Sequence, residues 1–145
     1  MIEVVSGVIV VRDRLLLAQR PTDKDYPLMW ETPGGKVEGN ESHHGALRRE
    51  LKEELGIFVG GIAPQPIWCG EVKRGGRDSV FLLYYFVTDY TGTPTPLEGQ
   101  GIGLFDHGAL PHLEMAPGNL AAFDAISGTV KLMITGSLNQ TVVKP

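Results

Sequence analysis

Apolar and polar positions along the chain switch between two periods, and the switch points divide it into strands and helices. Residues 2–11 and 14–20 are aliphatic runs joined at Arg12-Asp13-Arg14, which predicts a β-hairpin. Residues 21–29 are polar and carry two prolines, which predicts a loop. Between 42 and 55 the period changes: Leu47, Leu51 and Leu55 form one apolar stripe at about 100° per residue, the spacing of an amphipathic helix. Ser42 or Asn40 can cap its start, and Gly56 stands where a left-handed residue would close its end. Glu50, Glu53 and Glu54 flank the stripe, while Arg48 and Lys52 fall on the solvent side. Downstream, residues 62–73 and 79–89 read as strands with Gly75-Gly76 between them, Gly92 to Pro96 as a turn, and 100–106 as a further strand. Pro117 to Ile126 reads as a short helix with Pro117 near its start. Val130, Leu132 and Ile134 alternate with polar or flexible neighbours, which predicts a last strand over 129–135 and a loose tail after Gly136. Strands dominate, so the pattern predicts a mixed sheet covered by helices, an α/β/α layered domain.

Composition narrows the function classes. A chain of 145 residues with a 42% hydrophobic fraction supports one domain with a real core, and we expect residues 1–145 to form a single domain. Net charge is −4, from 13 basic and 17 acidic residues, and no block of Lys or Arg marks a duplex-binding face. A nucleic-acid-related ligand would therefore be a small nucleotide rather than a polymer. The single cysteine, Cys69, excludes an internal disulfide and fits a reducing cytoplasm; its apolar surroundings, Pro66-Ile67-Trp68, predict a buried thiol. No N-terminal segment resembles a signal peptide, and no apolar run approaches the roughly 18 residues that span a bilayer. The expectation is a cytoplasmic protein with no membrane association, a monomer or homodimer.

The helix over 42–55 carries the chemistry. Glu50 with Glu53 and Glu50 with Glu54 are like-charge neighbours, each costing roughly 0.2–0.5 kcal/mol. Glu53 and Glu54 also lie in the last turn, where the helix dipole disfavours anions by roughly 0.3–1 kcal/mol. A bound divalent cation removes both penalties, and all-oxygen ligands favour Mg²⁺ or Mn²⁺ over zinc. Just before the helix, Pro33-Gly34-Gly35 predicts a loop whose backbone can turn a carbonyl toward that cation. His43 and His44, in the first helical turn, read as surface residues.

Residues 35–57 show the spacing G-x5-E-x7-R-E-U-x-E-E-x-G-U, where U is aliphatic: Gly35, Glu41, Arg49, Glu50, Leu51, Glu53, Glu54, Gly56 and Ile57. This resembles the Nudix box without a departure, and chance agreement at one start point is on the order of one in 10⁸ or rarer. The chain as a whole is similar to Nudix hydrolases of the MutT-like subgroup over most of residues 4–126. The resemblance implies a Nudix-type α/β/α sandwich and hydrolysis of a nucleoside diphosphate linked to another moiety. It implies that Glu50, Glu53 and Glu54 bind metal, with a main-chain ligand from Gly34 or Gly35. Arg49 would pair with Glu41 to join loop and helix, and Gly56 would be structural. Arg20 falls where MutT-like proteins carry an arginine that touches the nucleotide. Lys36 would contact phosphate, and Glu98, in Glu98-Gly99-Gln100, would bind metal or assist the water. Asn119 lies near the position that reads a purine edge, or else caps the second helix. The resemblance implies catalysis by Glu53, Glu54, Glu98 and Lys36. Two departures bear on the substrate: Thr32 stands where phenylalanine is common, and the segment 129–135 extends past the usual C-terminus. The leading expectation is a nucleoside triphosphate, ordinary or oxidised, cleaved to a monophosphate and pyrophosphate. Nucleoside diphosphate sugars or dinucleoside polyphosphates are the alternative. A non-catalytic nucleotide sensor is disfavoured, because no box carboxylate is missing and the length leaves no room for an effector domain.

Overall fold

The computed structural model describes residues 1–73, 78–136 and 138–145. The first apolar run splits between two sheets. Strand β1 (Ile2–Val8) runs parallel to β8 (Val80–Thr91), whereas β2 (Val10–Val11) hairpins with β3 (Arg14–Gln19). The hairpin turn puts Arg12 at φ 53° and Asp13 at φ 64°, and two successive positive φ values match the right-handed twist of the flanking strands. One sheet of six strands is built on β8. It pairs β1, β6 (Phe58–Ile62), β7 (Trp68–Val72) and β10 (Val142–Lys144), and β1 in turn pairs β5 (Gly34–Lys36). The other sheet holds four strands: β2, β3, β4 (Trp30–Glu31) and β9 (Gly101–Phe105).

Alternation along the strands feeds two cores. Val5, Ile9, Leu16, Leu83, Tyr85 and Val87 face helix α1 (His43–Leu55), whose buried stripe is Ala46, Leu47, Leu51 and Leu55. Val8, Leu15, Leu17, Leu82, Tyr84 and Phe86 face α2 (Pro117–Ile134) on the opposite side. The sheets are thus sandwiched between two helices, the layered α/β arrangement that the pattern predicts. Ser42 caps α1 by accepting from Gly45 N at 2.9 Å, and Gly56, at φ 67°, closes the helix by donating to Lys52 O at 3.0 Å.

The structure corrects several expectations. Residues 129–135 are not a strand, because α2 continues to Ile134. Ala122, Ile126, Val130 and Ile134 are buried at four-residue spacing, whereas Leu132, which alternation places on the same face as Val130, is 46% exposed. The segment after Gly136 is not loose. Thr141 is buried, its N–H donating to Val10 O and its Oγ1 accepting from Val10 N and donating to Val87 O, and β10 then adds to β8 in parallel. The run 62–73 is only partly strand, since β6 ends at Ile62 and β7 begins at Trp68; Gly75-Gly76 lies outside the described residues. Cys69 is exposed, because the period of two along β7 turns Trp68 and Gly70 inward and Cys69 and Glu71 outward. His43 is half-buried, with Nδ1 on Tyr85 OH and Nε2 on Glu3, and His44 packs edge-on against Tyr85. Gly34 and Gly35 belong to a strand rather than a loop, with consequences for the site. No helix among the described residues is long and apolar enough to cross a membrane.

Candidate active site

Strand β5 lies against α1 where the helix presents Glu50 and Glu54. A Cβ on Gly34 would overlap Val5 O, so the pairing of β5 with β1 requires glycine there, and one on Gly35 would overlap the Glu50 carboxylate, so glycine there lets that carboxylate lie against the strand. Antiparallel pairing with β1 sets which carbonyl is available. Gly7 N donates to Pro33 O and Val37 N to Glu3 O, so Gly35 opposite Val5 continues the hydrogen-bonded positions. Gly34 and Lys36 occupy the intervening positions, whose N–H and C=O point away from β1. Accordingly Gly34 N donates to Glu54 Oε2 at 3.2 Å, and Lys36 O accepts from Arg49 Nη2 at 2.9 Å. Of the two glycines, Gly34 is the one with a carbonyl outside the ladder.

Arg49 holds this junction together. It grips Glu41 with Nε and Nη2 at 2.7 and 2.9 Å, and its Nη1 reaches Glu50 at 3.0 Å and Glu53 at 3.2 Å. These bonds raise the proton affinity of the guanidinium and lower that of Glu41. Glu53 is therefore turned to Arg49 and remains half-exposed. Glu54 goes the other way, into a cleft of about 640 Å³ lined by Arg20, Gly34, Lys36, Glu54, Glu98 and Asn119 among others. The loop carrying Glu98 is fastened to the end of α1: Leu97 N and Gln100 Nε2 both donate to Glu54 O, and Gln100 Oε1 accepts from Glu98 N. Glu98 and Glu54 thus share one face.

Electrostatics mark this face. Burial, then the charges of Glu50 and Glu98, push the Glu54 carboxyl up to about 8, against the opposing Gly34 N–H. Burial also raises Glu50, opposed by Arg49. Among the described residues no three acidic, His or Cys side chains already converge as a metal-ligand set, because Arg49 draws Glu50 and Glu53 to its own side. The donor chemistry nevertheless fits a hard divalent cation. All the groups are oxygens, and such an ion would offset the burial and like-charge repulsion that hold Glu54 in its protonated form.

The cleft residues that were not singled out from sequence for a role in the site include Glu31, Gln100 and Tyr84. Glu31 joins Glu54 and Glu98 as a carboxylate of the cleft; Arg20 Nη1 donates to both of its oxygens at 3.2 Å, while burial raises its proton affinity. Arg20 Nε donates to Asp25 O, so this arginine is anchored before any ligand arrives. Gln100 and Tyr84 also line the cleft. A charged residue beside the diglycine run was the available signal for Glu31; nothing local marks Tyr84, which lies in a long apolar strand. Asn119 does not cap α2, where Ala116 is the N-cap; it sits buried in the first turn.

A fold of two helices around mixed sheets, with a carboxylate helix packed on a diglycine strand, defines a Nudix-type hydrolase site. The Nudix-domain profile matches residues 1–125, and the chain belongs to that family and is a Nudix hydrolase. It is 56% identical over 102 residues to a CTP pyrophosphohydrolase of Escherichia coli, covering 70% of this chain and 73% of that protein. It is 44% identical over 101 residues to an 8-oxo-dGTP diphosphatase of Proteus vulgaris, covering 68% of this chain and 87% of the relative. Among solved structures, the E. coli ORF135 protein superposes with a TM-score of 0.73 at 36% identity, over 89% of this chain and 92% of that one. Nudix hydrolases generally need a divalent metal.

Proposed function

We propose that residues 1–145 act as one Nudix hydrolase domain that cleaves nucleoside triphosphates to a nucleoside monophosphate and pyrophosphate. The observation that carries this reading is the single cleft that gathers cationic Arg20 and Lys36, acidic Glu54 and Glu98, and the amide of Asn119. Its volume of about 640 Å³ falls in the range of small-molecule sites. The names of the relatives support a triphosphate over a diphosphate sugar.

In this reading Glu50, Glu53, Glu54, Glu98 and the Gly34 carbonyl would hold Mg²⁺ or Mn²⁺. The cation, when bound, supplies charge neutralisation on the phosphate oxygens and acidifies the attacking water. Glu98 accepts the water proton, being a cleft carboxylate engaged neither by Arg49, as Glu50 and Glu53 are, nor by the Gly34 N–H, as Glu54 is. Lys36, exposed at the cleft rim, and Arg20 steady the phosphates. The water oxygen bonds to phosphorus as a P–O–P bond opens, and pyrophosphate leaves with the electron pair. Arg49 and Glu41 keep strand and helix in register. The one thiol suits a reducing compartment, and on this reading the enzyme is cytoplasmic, a monomer or homodimer.

The test is a substrate panel with Mg²⁺ or Mn²⁺: ordinary and oxidised nucleoside triphosphates, nucleoside diphosphate sugars and dinucleoside polyphosphates, with products identified by ³¹P NMR. Monophosphate plus pyrophosphate from a triphosphate is the expected result. Turnover of sugars or dinucleotides alone, or of nothing, would overturn the assignment.

A further inference from the structure

The loop that carries Glu98 gains little from burial. Thr95, Pro96, Leu97, Glu98 and Gly99 are all exposed, Leu97 by 55%. Hydrogen bonds to the carbonyl end of α1 hold it instead. The backbone N–H groups of Thr95 and Leu97 donate to Leu55 O at 2.9 Å and to Glu54 O at 3.0 Å. Both oxygens belong to the last turn, whose carbonyls have no partner within the helix. Both donors precede Glu98 in the chain, so neither bond reaches Glu98 itself.

Gln100 supplies that restraint. Gly99 turns the chain at φ 77°, and the Gln100 side chain folds back across the turn. Its Nε2 donates to Glu54 O at 2.9 Å, and its Oε1 accepts from Glu98 N at 2.8 Å. Each end of the amide faces a backbone group of fixed polarity. A carbonyl can only accept and an N–H can only donate, so the two contacts independently set the same orientation. One planar group therefore spans the backbones of Glu54 and Glu98, two carboxylates that share the cleft face. The next residue, Gly101, pairs with Gln19 in the sheet, so the amide projects from an anchored strand end.

We propose that Gln100 is a positioning residue for the hydrolysis: its amide ties Glu98 to the end of α1 and keeps the proton acceptor in place beside the carboxylates of that helix. The inference rests on the reading of Glu98 as acceptor of the water proton and adds the residue that holds it there. The role demands a donor and an acceptor in one flat group. Methionine, of similar length, makes neither bond. Glutamate accepts from Glu98 N but turns its second oxygen on Glu54 O.

The experiment is a double-mutant cycle on kcat with Gln100→Met and Glu98→Gln, joined to amide hydrogen exchange at Glu98 read by NMR without substrate. In Gln100→Met, kcat should fall about tenfold to a hundredfold, the loss expected for two hydrogen bonds, with KM within about twofold. In the Glu98→Gln background the same change should cost less than about twofold, because the group it positions has lost its function. A merely structural role would lower kcat by the same factor in both backgrounds, and that result overturns the proposal. Exchange at the Glu98 N–H should quicken about tenfold in Gln100→Met, while Thr95 and Leu97 keep their wild-type protection. An unmoved Glu98 exchange rate overturns the proposal whatever the turnover. Gln100→Glu, the closest in shape, should be at least as slow as Gln100→Met; wild-type turnover in it overturns the proposal, and it carries the cycle should the methionine variant fail to fold. Exchange requires no catalysis. If Gln100→Met quickens exchange at Glu98 while Glu98→Gln turns over as wild type, the reading of Glu98 as proton acceptor fails and the tether stands.

Discussion

Glu54→Gln separates the folding cost of the acidic cleft from its chemistry. In the metal-free protein, burial and the charges of Glu50 and Glu98 move this carboxyl from 4.5 to about 8. A folded-state value above the unfolded one means that the fold favours the protonated form. The associated stability is fully present below about pH 4.5 and is lost as pH rises toward 8. At 1.36 kcal/mol per pH unit, the full displacement corresponds to on the order of 4–5 kcal/mol. Relaxation and water entry at the cleft mouth reduce this to about 2–4 kcal/mol. Glutamine keeps the volume and an oxygen for the Gly34 N–H, and it does not ionise. At roughly 3 °C per kcal/mol for a chain of this size, the variant should melt about 6–12 °C above wild type at pH 8 in EDTA. At pH 4.5 the two should melt within about 2 °C of each other. Scanning calorimetry across that pH range reads the difference directly. Adding Mg²⁺ at pH 8 should raise the wild-type Tm and close most of the gap. Equal melting temperatures at pH 8 in EDTA would show that the carboxyl is hydrated and unstrained, and the argument for a charge-compensating cation in this cleft would fall with it.

The other predictions follow from the same geometry. EDTA should abolish turnover and Mg²⁺ or Mn²⁺ restore it in a steady-state assay; full activity in metal-free buffer would remove the mechanism. Glu54→Gln and Glu53→Gln should each cut kcat by on the order of 10²–10⁴ with circular dichroism unchanged, and wild-type rates in both would reduce the helix to a solvated acidic face. Glu98→Gln should mainly lower kcat, whereas Arg20→Ala should mainly raise KM; the opposite split would exchange their roles. Gly35→Ala should lower both Tm and kcat, because its methyl group overlaps the Glu50 carboxylate; a variant that melts and turns over like wild type would show that strand and helix can separate without cost.

Helix α1, its caps and its buried stripe were legible in the sequence because they rest on contacts within one turn: Ser42 with Gly45, Gly56 with Lys52, and leucines four residues apart. The box spacing was legible for the same reason, since its residues lie within 23 positions and meet across a single helix–strand junction. What only the tertiary structure decided depends on partners distant in the chain. Alternation at Val130, Leu132 and Ile134 was equally compatible with a strand, and burial of Val130 and Ile134 beside Ile126 in the core selected the helix. The tail gained order from Thr141, whose hydrogen bonds reach Val10 and Val87. The division of the carboxylates between Arg49 and the cleft depended on β1 orienting Gly34 toward Glu54. The orientation of the Asn119 amide depended on Thr32 and Tyr84, 87 and 35 residues away. Local periodicity specifies which face of an element is apolar; which polar atom faces the substrate is set where separate elements meet.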